Sequence, residues 1–150
     1  MGEKELTAAK NKGLYYLQFS AKTEAEMRKK LAEQGFLPAS VDGAVAFLKE
    51  YRYLDDEEYT RRFIERNMKK KSVRQMRYEL SKKGVAREVA DKALEEAEID
   101  EVRQVMGLLE KRRYSGKAAS FEERRKQAGY LSHKGFSGEA IRAAFARMEE

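Results

Sequence analysis

One pattern occurs three times along the chain of 150 residues, and this repetition limits the available folds more than any other feature. The pattern is centred on three glycines at intervals of 49 and 51 residues: Gly35, Gly84 and Gly135. Four positions before each glycine is a leucine: Leu31, Leu80 and Leu131. One position after it is Phe36, Val85 or Phe136, and nine after it is Ala44, Ala93 or Ala144. Periods of about 20–50 residues are typical of stacked supersecondary units.

The repeated positions predict two helices joined by a tight glycine turn. A hydroxyl residue followed three positions later by Glu or Gln precedes each leucine, in Thr23-x-x-Glu26, Ser72-x-x-Gln75 and Ser120-x-x-Glu123. This is the capping-box pattern of a helix N-terminus. The glycine fits the C′ position, where a left-handed backbone is needed, and the leucine and the following apolar residue fit C3 and C″ of a Schellman motif.

A third helix is expected in front of each capping box, over 5–19, 56–68 and 101–114. Asp55 is suited to be the N-cap of the second of these, with Glu58 at N3. The sequence therefore predicts an all-α fold of three tandem three-helix repeats, near 1–54, 55–99 and 100–150, stacked into an elongated, curved, solenoid-like body. Because the repeats bury one another's faces, we expect a monomer.

The composition argues against most kinds of catalysis. The chain has no cysteine and one histidine, His133, so we expect no metal, no cofactor and no nucleophile of the Cys or Ser-His-Asp type. Nucleotide-binding glycine patterns are absent, which does not support nucleotide hydrolysis. No apolar run is long enough to span a bilayer or form a signal peptide, so we expect a soluble, cytoplasmic protein without enzymatic activity.

Basic residues are concentrated in two segments of the chain. Residues 61–83 contain ten of them against two acids: Arg61, Arg62, Arg66, Lys69, Lys70, Lys71, Arg74, Arg77, Lys82 and Lys83. Residues 111–126 add a second group that includes Arg112, Arg113, Lys117, Arg124, Arg125 and Lys126. The stretch 86–101 has the opposite sign, with seven acids against two bases.

Two interpretations of these basic segments remain open at this point. They form a surface for a phosphate backbone or an acidic protein groove, or they are solvated helix faces in which residues such as Lys82 and Lys83 favour a helix C-terminus. No zinc-finger, RNA-recognition or helix-turn-helix signature accompanies them, which argues against base-specific recognition. The acidic run 55–58 is expected to cap a helix rather than to bind a metal.

Three runs of residues resemble the signatures of the RecX family. They are 53–64 (YLDDEEYTRRFI), 74–85 (RQMRYELSKKGV) and 130–136 (YLSHKGF). With the segment around 26–31 (EMRKKL), the likeness covers about residues 14–148. The chain differs from the family pattern at Ser72-Val73, where relatives often have glycine, and at Ala128, which replaces the arginine found at Arg28 and Arg77.

The resemblance implies a regulator of RecA recombinase. Proteins of this family have three tandem three-helix repeats and bind in the groove of the RecA–DNA filament, where they inhibit strand exchange and ATP hydrolysis and promote loss of the filament. The implied partners are the RecA filament and DNA, contacted through the basic residues of the second and third repeats, with Arg28, Lys29 and Lys30 secondary. The alternatives are a helical protein that binds DNA or RNA directly without RecA, and a passive scaffold.

Overall fold

The computed structural model describes residues 2–150, and the regular structure within them is entirely helical. The described helices are α1 (Gly2–Leu17), α2 (Glu24–Glu33), α3 (Pro38–Glu50), α4 (Asp56–Asn67), α5 (Val73–Lys82), α6 (Arg87–Glu96), α7 (Glu101–Lys111), α8 (Phe121–His133) and α9 (Gly138–Met148), with a short 3₁₀ turn at Gly116–Ala118. None of them is both long and apolar enough to cross a membrane. The predicted all-α repeat fold is confirmed.

The described residues form two compact units, 2–62 with 80–90 and 63–79 with 91–150. In the first unit α1 packs against α2 and α3 around a core that includes Met27, Leu31 and Leu48. In the second unit α7 and α8 pack against α9 around a core that includes Leu109, Leu131 and Phe145. All three leucines of the repeated pattern are completely buried.

All three glycine turns have the hydrogen bonds of a Schellman motif. In the first, the N–H of Gly35 donates to the Ala32 carbonyl at 3.0 Å and the N–H of Phe36 donates to the Leu31 carbonyl at 3.4 Å. The same two bonds occur at the turns of Gly84 and Gly135. The three glycines have φ values of 90°, 83° and 97°, in the left-handed region that costs an L side chain about 1–2 kcal/mol.

Three other helices end in a left-handed residue that is not glycine. Arg52, Glu98 and Arg113 follow α3, α6 and α7 with φ values of 59°, 49° and 56°. At Arg52 the same type of turn forms, because the N–H of Tyr53 donates to the Leu48 carbonyl at 2.8 Å. No glycine marks these turns, so the sequence pattern did not predict them.

Among the described residues, the predicted capping box forms completely in the first repeat and partly in the other two. There the Thr23 hydroxyl accepts from the Glu26 N–H at 3.1 Å, and the Glu26 carboxylate accepts from the Thr23 N–H at 2.9 Å. Ser72 and Ser120 cap α5 and α8 in the same way, each accepting the N3 amide at 3.0 Å. In these two repeats the side chain at N3 bonds to another residue instead of to the amide of the capping serine. Gln75 donates to Glu79, and Glu123 accepts from Ser115.

The capping hydroxyls of the first two repeats also bind the next repeat. Thr23 Oγ1 donates to the Lys83 carbonyl at 2.6 Å, within the first unit. Ser72 Oγ donates to the Lys134 carbonyl at 2.9 Å, within the second unit. Each of these carbonyls belongs to the residue just before the glycine of the following repeat. Both hydroxyl residues are fully buried, so the start of one helix is held against the end of another.

Because the repeats approach so closely, two of the glycines are needed for lack of space as well as for their backbone conformation. A Cβ atom at Gly84 would clash with the Cβ of Ala25, and one at Gly135 would lie 2.8 Å from Ser72 Oγ. A Cβ at Gly35 would meet nothing within 4 Å, although its φ is also positive. Gly35 therefore needs to be glycine only for its backbone, whereas the other two also need the space.

We expect Gly84→Ala to destabilise the protein more than Gly35→Ala. Both variants place an L side chain at a left-handed position, at a cost of about 1–2 kcal/mol, but only Gly84→Ala also forces the repeats apart, which adds about 1–3 kcal/mol. Urea unfolding of the two variants and the parent measures the difference. Equal losses of unfolding free energy would show that the approach of Ala25 to the Gly84 turn is not a tight contact.

Candidate binding surface

The acidic run at the start of α4 works as a helix cap and as a contact between helices. Asp55 Oδ1 accepts the N–H groups of Glu57 and Glu58, both at 3.1 Å. Asp56 Oδ1 accepts the Glu24 N–H of α2 at 2.9 Å. Burial raises the pKa of the Asp56 carboxyl, with the nearby Glu24 carboxylate adding to the effect. Within residues 2–150, no group of three His, Asp or Glu side chains is arranged to hold a metal ion.

The predicted basic residues of α4 differ in whether they form ion pairs within the protein. Arg61 and Arg62 both pair with Glu58, the latter through Nε at 2.9 Å. All three side chains are substantially exposed, so these pairs contribute about 0–1 kcal/mol. Arg66, one turn further on, is exposed and makes no ion pair within the described residues.

The linker between α4 and α5 presents two lysines to solvent. Lys69 and Lys70 are exposed and unpaired within residues 2–150. Lys71 is half-buried, with Nζ 2.7 Å from Glu79 Oε1 and 5.8 Å from the centre of the Phe63 ring. Lys71 was predicted to bind a partner together with Lys69 and Lys70. In the structure it forms an ion pair with Glu79 of the same chain.

A glutamine of α7 fixes this linker in place. Gln104 Nε2 donates to the Met68 carbonyl at 2.5 Å and to the Lys71 carbonyl at 2.7 Å. Gln104 is only 7% exposed, and its Oε1 atom has no hydrogen-bond partner among the described residues. Sequence reasoning missed this residue. The available signal was a polar side chain beside the apolar core positions Val105 and Leu108 of the same helix.

The basic residues of α5 are also of different kinds. Arg74 is exposed in the first turn, and its Cβ and Cδ lie 3.6 Å from the position that a Cβ would take at Gly135. Arg77 Nε pairs with Asp91 Oδ1 of α6 at 2.7 Å. Lys82 is exposed near the end of the helix, and Lys83 is half-buried with its carbonyl bound to Thr23. Of these four residues, Arg74 is exposed and makes no ion pair within the described chain.

In the third repeat two of the predicted arginines interact with other side chains of the protein. Arg112 Nε donates to Gln127 Oε1 at 2.6 Å, and its guanidinium lies 3.6 Å from the centre of the Tyr130 ring. Arg124 pairs with Glu149 at 2.9 Å. The remaining predicted residues are exposed without an ion pair in the part of the chain that the structure describes: Arg113, Lys117, Arg125 and Lys126.

Among the basic residues predicted in the second and third repeats, those that are exposed and form no ion pair within residues 2–150 lie in the second compact unit. We call them the free cations: Arg66, Lys69, Lys70, Arg74, Arg113, Lys117, Arg125 and Lys126. An open groove of about 510 Å³ lies beside the linker in the same unit, and Lys69 shares its lining with Arg103 and Lys111. Glu65, Glu98 and Asp100 also line it, so this groove itself is of mixed charge.

The fold and this surface define an α-helical tandem-repeat protein with cations presented on a rigid support. Three family models match the chain in order: the first, second and third three-helix domains of RecX, over residues 9–48, 55–94 and 98–145. The chain belongs to the RecX family of regulatory proteins.

Similar proteins differ in how much of their length this chain covers. The regulatory protein RecX of Caldanaerobacter subterraneus subsp. tengcongensis is 36% identical over 146 residues, which are 93% of this chain and 70% of that protein. The regulatory protein RecX of Clostridium perfringens strain 13 is 37% identical over 87 residues, 58% of this chain but only 41% of that protein. The crystal structure of RecX from Lactobacillus salivarius has the same fold, with a TM-score of 0.85, 23% identity and 98% coverage of both chains.

Replacing Gln104 with methionine, which has a similar shape but no amide, is expected to loosen the linker. The carbonyls of Met68 and Lys71 would lose their donor, which costs about 1–3 kcal/mol of unfolding free energy. Amide hydrogen exchange should show faster exchange over residues 68–72 than in the parent. Unchanged exchange in this segment would mean that Gln104 does not hold the linker.

Proposed function

We propose that this chain binds the RecA–DNA filament, inhibits its recombinase and ATPase activities and promotes its disassembly. The proposal rests on the family to which the chain belongs, whose curated relatives are called regulatory proteins, together with the free cations of the second unit. In this proposal the chain works by binding alone, as a cytoplasmic monomer without a cofactor or enzymatic activity.

The free cations are the observation that carries the proposal. Other exposed arginines of the fold form ion pairs, as Arg62 does with Glu58 and Arg77 with Asp91. Lys69, Lys70 and Arg74 have none within residues 2–150, although they follow one another closely in sequence. Like charges held near one another raise the free energy of the free protein, and an anionic surface relieves this repulsion.

Rigid support makes such a cluster useful for binding. The amide of Gln104 fixes the linker, and the hydroxyl of Ser72 fixes the start of α5. Side chains on a fixed backbone lose less entropy on binding than side chains on a mobile loop. If the chain binds one state of the filament more tightly than another, this difference in binding free energy shifts the filament toward the preferred, inactive state.

A second candidate function is direct binding to DNA or RNA without RecA. Unpaired lysines and arginines favour phosphate contacts of any kind, so the free cations fit this function as well. The two candidates differ in stoichiometry. A regulator of the filament suppresses RecA ATPase when present at well below one molecule per recombinase, whereas a competitor for DNA acts only when it covers the DNA.

Reversing the charge of Lys69, Lys70 and Arg74 to glutamate is expected to abolish inhibition of RecA ATPase on single-stranded DNA. Lys71 stays unchanged because its reversal would break the half-buried pair with Glu79. The variant should also bind filaments with a weaker dependence on salt, since each lost phosphate contact on single strands lowers the slope by about 0.7. The melting temperature should change little, because the three side chains are exposed.

The matched control reverses the charge of Lys4, Lys92 and Arg147, which are exposed and lie outside both basic segments. It has the same net charge as the test variant, so a general electrostatic effect would weaken both equally. Full inhibition by the test variant, or equal loss in the control, would contradict the proposed surface. If both the parent and the control inhibit only when they cover the DNA, the chain competes for DNA and does not regulate the filament.

A further inference from the structure

The first two repeats contain the same ion pair between their second and third helices. In the first repeat Arg28 Nη1 of α2 is 2.6 Å from Asp42 Oδ1 of α3. In the second repeat Arg77 Nε of α5 is 2.7 Å from Asp91 Oδ1 of α6. The arginine is seven positions before the repeat's glycine and the aspartate seven after it in both cases. The fold thus places a carboxylate at this position twice.

In the third repeat both members of the pair are changed. Ala128 takes the place of the arginine and Arg142 takes the place of the aspartate. Because the long side chain on α8 is missing, an open groove of about 480 Å³ lies between α8 and α9, lined by Ala128, Ile141 and Phe145 among others. The third helix of this repeat therefore has a positive charge, Arg142, at the position where the third helix of the other repeats has a negative one.

The edge of this groove is cationic and partly aromatic. Arg125 and Arg142 line it, and neither has an ion pair within residues 2–150. Phe121, also part of the lining, is 78% exposed, which is unusual for a phenylalanine. Arg124 forms an ion pair with Glu149, and its guanidinium lies 5.0 Å from the centre of the Phe145 ring. It therefore lines the groove without offering an unpaired charge.

We propose that this groove binds an acidic peptide segment of a partner protein, with an aromatic side chain on the apolar floor and carboxylates on Arg125 and Arg142. A carboxylate pairs with arginine between the corresponding helices of the other two repeats, whereas Arg125 and Arg142 have no carboxylate partner within residues 2–150. Guanidinium and carboxylate groups match in charge and in planar geometry. The inference goes beyond the proposed function, since it requires neither RecA nor DNA, although it shares Arg125 with the free cations.

The test measures fluorescence anisotropy of a short labelled peptide with a central phenylalanine flanked by aspartates. The wild-type chain should bind it saturably, and should bind versions with asparagines or with a central alanine about tenfold or more weakly. The double variant Ala128→Arg with Arg142→Asp should lose binding to a similar extent. This variant rebuilds the residue pair of the first two repeats, so it fills the groove with an arrangement that the fold already contains.

Arg147→Gln is the matched control, because it alters the net charge by the same amount on an exposed position of α9 that does not line the groove. It should bind the peptide as the wild type does. Arg142→Gln provides a second variant that does not depend on the new pair, and it should weaken peptide binding about tenfold.

Three results would overturn the inference. The first is the absence of saturable peptide binding to the wild-type chain, and the second is equal binding of the aspartate and asparagine peptides. The third is that Arg142→Gln leaves peptide affinity unchanged while it weakens the binding of labelled oligothymidylate, which would assign the groove to nucleic acid.

Discussion

A buried hydroxyl with two hydrogen bonds holds successive repeats of this chain together. Thr23 Oγ1 accepts from the amide of its own helix and donates to the Lys83 carbonyl at 2.6 Å, just before the next glycine turn. A helix C-terminus has carbonyl groups without partners in the helix, and a helix N-terminus selects a hydroxyl side chain, so each end satisfies the other. The contact requires close approach, which explains why Gly84 has no space for a side chain.

The candidate binding surface depends on this contact. Ser72, which makes the equivalent bond to the Lys134 carbonyl, follows directly after the linker that carries Lys69 and Lys70. The linker is therefore held at its end by the glycine turn of the third repeat, and along its length by Gln104 of α7. Loss of the contact between the second and third repeats would free one end of the linker that carries these lysines.

The sequence predicted the features that depend on local chemistry and missed those that depend on tertiary neighbours. The glycine turns and helix positions follow from residue types a few positions apart, and the structure has them. The left-handed turn at Arg113 gave no signal because its residue is not glycine. The linker clamp by Gln104 and the pairing of Lys71 with Glu79 join residues that are 33 and eight positions apart, and only packing decides which partners meet. The charge pattern therefore marked the basic region but not which cations are free.

Comparing Ser72→Ala with Ser120→Ala in urea unfolding tests most directly whether the capping hydroxyl joins the repeats. Both serines accept the N3 amide of their helix at 3.0 Å, but within residues 2–150 only Ser72 donates to a carbonyl of another repeat. Ser120→Ala should lose about 1 kcal/mol as an ordinary cap. Ser72→Ala should lose about 1–3 kcal/mol more, because the Lys134 carbonyl is left without its donor. Equal losses would contradict the account.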